Sequence, residues 1–327
     1  MELVVFGIFV LAPALLVVGV LGAAVFAAGV LYEKWRALTR HGFGEYTLRV
    51  APREWQQWLR CSCFWNYVLH WFFKFEVVWA SNVMLRDRIQ PDGLGHSGRT
   101  DAPSHLLVAV HPHGLFAVST LLASVLPPKG LWDRPFASLP TTFVHPVFFA
   151  LPVVREVFML LGCLPATRES IAHRLAERSA THTLVSFIEP GGVNETMCPD
   201  LYVSLEGSQG FQQALGQNWG FLTQAYRAGT PVIPCYSPGE RHLFRIWTPY
   251  WLSSIRAWMY KRVGFPFPTF FYGPVKPQHA LQLHVGTAVV PPVYNAATEA
   301  ADLLRFKAAY FDALCTVRHS SMREKVE

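Results

Sequence analysis

"LLVAVHPHGLFAVST", residues 106–120, is the stretch on which the reading of this chain turns. An apolar run from Leu106 to Val110 meets two histidines separated by one proline, and a glycine and a second apolar run follow. A short continuous apolar run closed by Pro and Gly reads as a strand buried in a sheet. Residues two apart on a strand point the same way, so His111 and His113 share a face if the strand continues through them. Imidazoles placed like this serve as a metal site, as a general base with its helper, or as structural histidines bonded to backbone.

Outward from this stretch, similar runs recur at 183–188, 231–236 and 284–290, and the strand itself is expected over 105–110. Helical patterns lie between them at 115–126, 168–180 and 211–228. Strands spaced by helices predict an α/β fold, a largely parallel sheet flanked by helices. In the tail, Leu303, Leu304, Tyr310, Phe311 and Leu314 recur at helical spacing and predict an amphipathic helix closing the domain. Open α/β sheets carry their functional groups at the carboxyl ends of strands. Three of the expected strands end in polar, glycine-containing turns: HPHG (111–114), EPGGVNE (189–195) and YSPGE (236–240). Their convergence would make one site.

Composition narrows the class. Hydrophobic residues are 51% of the chain and charged residues only 15%, greasier than an ordinary soluble enzyme. The net charge of +6 is scattered, without the basic and aromatic clusters of a nucleic-acid interface, so lipid headgroups or phosphorylated small molecules are the better-matched partners. The six cysteines form no C-x-x-C pair and read as reduced thiols rather than a zinc or redox motif.

From Leu3 to Tyr32 there is no charge, long enough for a transmembrane helix or, with Pro13, a re-entrant segment. Met1-Glu2 supplies no basic n-region, so an anchor is expected rather than a cleaved signal peptide. Lys34, Arg36 and Arg40 follow it, and the positive-inside rule puts the remainder in the cytosol. The reading divides the chain into a hydrophobic anchor (1–44), a membrane-interfacial segment and loop (45–104), and the domain that carries the chemistry (105–327). Within the second part, the aromatic stretch Phe64–Trp79 reads as an interfacial helix or a buried core helix.

The three readings of the histidines make different demands. A metal site needs further ligands at later strand ends, and neither His145 nor His182 closes an expected strand beside a glycine turn. A general base needs a carboxylate to orient it and donors for a developing oxyanion. EPGGVNE offers both: Glu189 and Glu195 are carboxylates, and Gly191-Gly192 lets backbone N–H groups approach a ligand. No G-x-S-x-G elbow is present, so direct attack by a substrate hydroxyl, without a covalent intermediate, is the simplest mechanism.

Taken together, HPHG, RESI (168–171), EPGGVNE, PVIPCYSPGE (231–240) and HVGTAVVPP (284–292) resemble, in that order, the type 2 diacylglycerol acyltransferase family, which includes monoacylglycerol and wax-alcohol acyltransferases. The resemblance runs from about residue 65 to about 315. It implies a glycerolipid-acyltransferase-like fold and a triacylglycerol-forming reaction on the endoplasmic reticulum membrane or lipid droplets. It implies acyl-CoA as co-substrate with no other cofactor and no metal. Its acceptor is a neutral glycerolipid or long-chain alcohol, met at membrane lipid, with a homo-oligomer left open. His113 is the base it implies. The wider superfamily has an Asp five positions after its histidine; Val118 stands there, and Glu195 is expected to orient His113 instead. Gly114, Gly191, Gly192, His111 and Glu240 are expected around the oxyanion or substrate, and Arg168 at a coenzyme A phosphate. A metal-dependent hydrolase and an inactive lipid-binding scaffold are the alternatives. Asn194-Glu195-Thr196 is a glycosylation sequon, and cytosolic placement predicts no glycan there.

Overall fold

The structure, a computed structural model, describes residues 28–33, 68–79, 105–124, 140–151, 154–179, 183–192, 220–247, 249–263, 270–275, 277 and 279–323. Residues Met1–Val50 form one compact unit and Ala51–Glu327 a second. In the first, residues 28–33 are helical; the rest of the segment read as an anchor lies outside the described residues. No described helix is long and apolar enough to cross a membrane.

The second unit holds β1 (Glu76–Trp79), β2 (His105–His111), β3 (Thr141–Val144), β4 (Cys163–Pro165), β5 (Leu184–Ile188), β6 (Val232–Tyr236), β7 (Arg245–Trp247), β8 (Phe270–Tyr272) and β9 (Gln282–Val285). Its helices are α1 (Val118–Ser124), α2 (Val154–Leu160), α3 (Arg168–Ala176), α4 (Gly220–Ala228), α5 (Ser253–Val263) and α6 (Glu299–Arg323). Seven strands make one sheet in the order β1-β9-β6-β2-β5-β3-β4, while β7 and β8 pair separately and antiparallel. Every pair in the large sheet is parallel except β6 with β9.

The burial of β2 explains its sequence. All seven residues are buried. Leu106, Val108 and Val110 pack on one face with Leu122 and Ala123 of α1. Leu107 and Ala109 pack on the other with Ile171 and Leu175 of α3, Leu222 and Ala225 of α4, and Phe306 and Tyr310 of α6. A strand covered on both faces has no polar side to show, so its sequence does not alternate. Each fully buried Val or Leu adds about 1.5–3 kcal/mol.

The helices start and stop for local reasons. Thr167 caps α3, its hydroxyl oxygen accepting the Ser170 N–H, and Glu169 sits in the first turn where the helix dipole favours an anion. The helix ends at Ala176, short of the expected 180, with Glu177 N–H donating to the Arg174 carbonyl. In α6, Phe306, Tyr310, Leu314 and Val317 are buried at steps of four, four and three, the stripe expected of an amphipathic helix.

Several elements differ from their expectation. The stretch read as an aromatic helix gives a short π-helical turn (Val68–Phe73) and then the edge strand β1, where Val77 and Val78 favour extended backbone. The strand expected at 284–290 is the shorter β9, ending at Val285. A Cβ on Gly286 would lie 2.8 Å from the Pro234 oxygen and 2.3 Å from Val317 of α6. Beyond β9 the Gly286 N–H still donates to the Pro234 carbonyl, and Val289 returns to the sheet, bridging to Val232. The helix expected at 115–126 is α1, which begins after an irregular loop over 113–117. The described part of the helix expected at 211–228 is α4. Cys163 and Cys235 are buried free thiols and Cys315 is a half-buried one.

Candidate active site

The strand order places β2 between β5, reached after the chain has built β3 and β4 on one side, and β6, which opens the other side. Ligands of open α/β sheets bind beyond the carboxyl ends at such a reversal. There His113 follows β2, His145 follows β3 and Glu189 follows β5, and all three line a cavity of about 930 Å³.

His113 and Glu189 meet directly: Nε2 lies 3.4 Å from the carboxylate Oε2. The side chain of His113 is 22% exposed and that of Glu189 only 5%. On the other edge of the ring, Nδ1 hydrogen-bonds the Gly114 carbonyl. A carbonyl only accepts, so Nδ1 carries the hydrogen, and in a neutral ring the lone pair able to take up a proton is on Nε2, beside Glu189. Glu189 is held in turn by Thr120 of α1, whose hydroxyl donates to Oε1. The result is a Thr120–Glu189–His113 chain reaching the cavity wall.

His145 adds a second imidazole. Its Nδ1 accepts the Val147 N–H at 3.2 Å, capping the turn at Pro146–Ala150, so a neutral ring carries its hydrogen on Nε2. Burial, and then the nearby His113, push its pKa below the ordinary histidine value and favour that neutral form. The rest of the wall is mostly apolar, including Phe143, Phe148, Phe158, Ile171 and Phe221. Arg168, exposed at the start of α3, and Gly192, at φ 49°, also line it, with Thr142, Thr223 and Gln224 among its other polar residues. Positive φ is why glycine stands at 192.

Behind this wall, a second set of residues holds the histidine loop. Glu240, 1% exposed, sends its carboxylate under α1 and accepts the N–H groups of Val118 (2.6 Å) and Ser119 (2.8 Å) and the Ser119 hydroxyl. Burial raises its pKa, and the Ser119 and Val118 hydrogen bonds oppose that rise. Gly114 is the residue that lets it pass: a Cβ there would stand 2.7 Å from Oε1 and 2.8 Å from Cγ of Glu240. His111 is fully buried, with Nε2 2.9 Å from the Tyr310 hydroxyl of α6.

The expected site residues therefore divide. His113, Arg168 and Gly192 line the cavity; His111, Gly114, Gly191 and Glu240 are not part of its lining. Glu195 and the sequon around it lie outside the described residues. The partner seen against His113 is Glu189. His145 also closes a strand at this site, beside a Pro146 turn rather than a glycine turn. The run before it, Thr141–Val144, is four residues with two threonines and no glycine turn, too weak a signal to mark a strand. Thr120 and Tyr310 were hidden in helices. Among the described residues, no group of three or more His, Cys, Asp or Glu side chains could hold a metal ion.

Comparison with known proteins agrees with the motifs. Residues 97–296 match the profile of the family described as diacylglycerol acyltransferase. The chain is 27% identical to the mouse (Mus musculus) diacylglycerol O-acyltransferase 2-like protein 6 over 146 residues, 44% of this chain and 40% of that protein. It is 28% identical to 2-acylglycerol O-acyltransferase 1 of Bos taurus over 175 residues, 51% and 49% of the two chains. It is 29% identical to human (Homo sapiens) acyl-CoA wax alcohol acyltransferase 2 over 171 residues, 51% and 48%. The matched stretch spans about half the length, or less, of these curated relatives. No solved structure matches.

Proposed function

The chain belongs to the diacylglycerol acyltransferase family, and on that premise we propose that it is an acyl-CoA-dependent O-acyltransferase with diacylglycerol as its acceptor. Triacylglycerol is then the product. The 2-acylglycerol and wax alcohol in the relatives' names are the nearest substitute acceptors. The observation that carries the reading is His113 Nε2 beside the Glu189 carboxylate, on the wall of a largely apolar cavity.

In this mechanism the acceptor hydroxyl gives its proton to Nε2 of His113 as its oxygen attacks the thioester carbonyl. The Glu189 charge stabilises the imidazolium that forms. The new C–O bond leaves an oxyanion, for which the Gly192 amide and the Nε2–H of His145 are the donors at hand. Collapse breaks the C–S bond, and the proton on His113 passes to the departing thiolate to give free coenzyme A. Arg168, with the N-terminus of α3 and its Thr167 cap, is suited to a coenzyme A phosphate. Glu195 remains a second candidate carboxylate for His113, and separate Gln variants at 189 and 195 distinguish the two. The apolar segment at 1–44 is proposed as the anchor to the endoplasmic reticulum, with this site on the cytosolic face.

The test is acyl transfer by microsomes carrying the full chain, given labelled oleoyl-CoA and diacylglycerol, 2-monoacylglycerol or a fatty alcohol. Labelled triacylglycerol above the empty-vector level is expected. Label in a different ester changes the acceptor and keeps the mechanism. No chain-dependent ester from any acceptor overturns the enzyme and favours the lipid-binding scaffold.

A further inference from the structure

Beyond β6 the chain changes character. Between Arg241 and Thr298 there is no Asp or Glu, while Arg241, Arg245, Arg256, Lys261, Arg262 and Lys276 are all basic. Within this stretch β7, the 3-10 turn Tyr250–Leu252 that leads into α5, α5 itself and β8 leave their large aromatic side chains in the open. Trp247 is 65% exposed, Tyr250 91%, Trp251 75% and Trp258 58%, with Phe270, Phe271 and Tyr272 exposed as well. All six residues of the β7–β8 pair are exposed. Among the residues of α5 whose exposure is described, Arg256 alone is buried and Met259 half-buried. A helix of eleven residues is marginal in water without a surface to lie on. Contiguous exposed apolar area of this kind marks an interaction face.

We infer that β7, β8 and α5 form the face by which this protein lies on an anionic phospholipid bilayer, with the cavity opening onto that membrane. Three observations identify the occupant. Trp and Tyr, which dominate the face, are the side chains that settle at the headgroup level, an apolar body with a polar tip. Arg245, Lys261 and Arg262 are exposed among them with no acid in the stretch, the charge that complements anionic headgroups. The face is also continuous with the cavity. Phe116 and Tyr260 line the cavity and are 44% and 41% exposed. Phe116 packs edge-on against Phe244 and Phe271, each at 4.9 Å between ring centroids. A lipid acceptor leaving the bilayer between these aromatics would reach His113 without crossing water. That consequence rests on the acyltransferase reading; the membrane contact itself does not.

The experiment uses the full chain reconstituted with vesicles of phosphatidylcholine and phosphatidylserine, with and without phosphatidylcholine brominated near the headgroup. Tryptophan emission is compared between wild type and W247F/W251F/W258F, which keeps an aromatic ring at each position and removes the fluorophore. The bromolipid-quenched part of the emission is expected to fall by about twofold or more in the variant. Unchanged quenched emission, with both proteins equally folded by circular dichroism, overturns the proposal. In R245Q/K261Q/R262Q, quenching should lose its dependence on phosphatidylserine; retained dependence overturns the role of these charges. A dimer that cross-links through this face and is not quenched assigns it to a second copy instead. No substrate is present, so quenching by a catalytically silent protein would support this inference while the acyltransferase reading failed.

Discussion

The strands β2 and β5 and the β7–β8–α5 region are both rich in apolar residues and free of acidic ones, and they end in opposite environments. Every residue of β2 and β5 is buried, while every residue of β7 and β8 is exposed. The difference lies in what covers them: β2 is packed from both sides by helices, and nothing among the described residues closes over Trp247, Trp251 or Trp258. Apolar side chains in the first region are explained by the fold. In the second the described part of the fold leaves them uncovered, which is what the proposed membrane contact accounts for. The two regions meet at the cavity, whose His113–Glu189 wall is built on strand ends and whose aromatic rim, at Phe116 and Tyr260, is partly open.

The largest effect that would break this division is catalytic. His113→Ala should lower acyl transfer by roughly 10²–10⁴-fold, the usual contribution of a positioned general base. Its thermal midpoint should hardly move, because the side chain is partly exposed on the wall. Full activity in a well-expressed variant would leave the buried region purely structural.

A second effect belongs wholly to the buried region. Burial holds the pKa of His105 at about 3, with Arg174 adding to the depression, so His105 stays neutral in the fold. In the unfolded chain it protonates near pH 6.5, so the unfolded state binds the extra proton between those values. Its contribution is present above about pH 6.5 and is lost as pH falls toward 3, at about 1.4 kcal/mol per pH unit. Glu240 slopes the other way, since its raised pKa favours the folded state less as pH rises past the ordinary carboxylate range. The readout is therefore the difference between wild type and His105→Asn in chemical unfolding across this range. Parallel curves would mean that His105 is not buried as a neutral ring.

A third effect sits at the junction. Gly114→Ala sets a Cβ within 2.8 Å of a carboxylate arm that is buried and held by three hydrogen bonds, so Glu240 cannot swing aside. Such overpacking should cost about 1–3 kcal/mol in unfolding and lower activity with it, since the same loop carries His113. A neutral substitution would show that Glu240 does not pin the loop.

These effects also show what could be read before folding. The runs that became β2, β5 and β6 are legible because strands buried on both faces must be apolar throughout, and their turns advertise themselves through Gly and Pro. β3 and β4 are not legible, being four and three residues long with Thr and Pro among them. With β3 goes His145, a site residue that only the sheet order brings to the cavity. Glu189 was visible as a carboxylate, but its meeting with His113 depends on the pairing of β2 with β5, which places Ala109 opposite Ile188. Gly114 read as a site glycine because close approach to backbone looks alike whether the neighbour is a ligand or a buried Glu240.

The smallest effect is the sharpest check on the exposed region. Tyr250 is 91% exposed, so Tyr250→Ala removes a large side chain that contributes almost nothing to the fold. Its unfolding free energy in detergent should stay within about 0.5 kcal/mol of wild type. A larger loss would mean that the ring packs against another part of this chain, and the contrast with β2 would fall. Unchanged stability joined to weaker retention on phosphatidylserine vesicles would sharpen it. The ring would then be spending its apolar surface on a partner outside the chain, as the buried strands spend theirs within it.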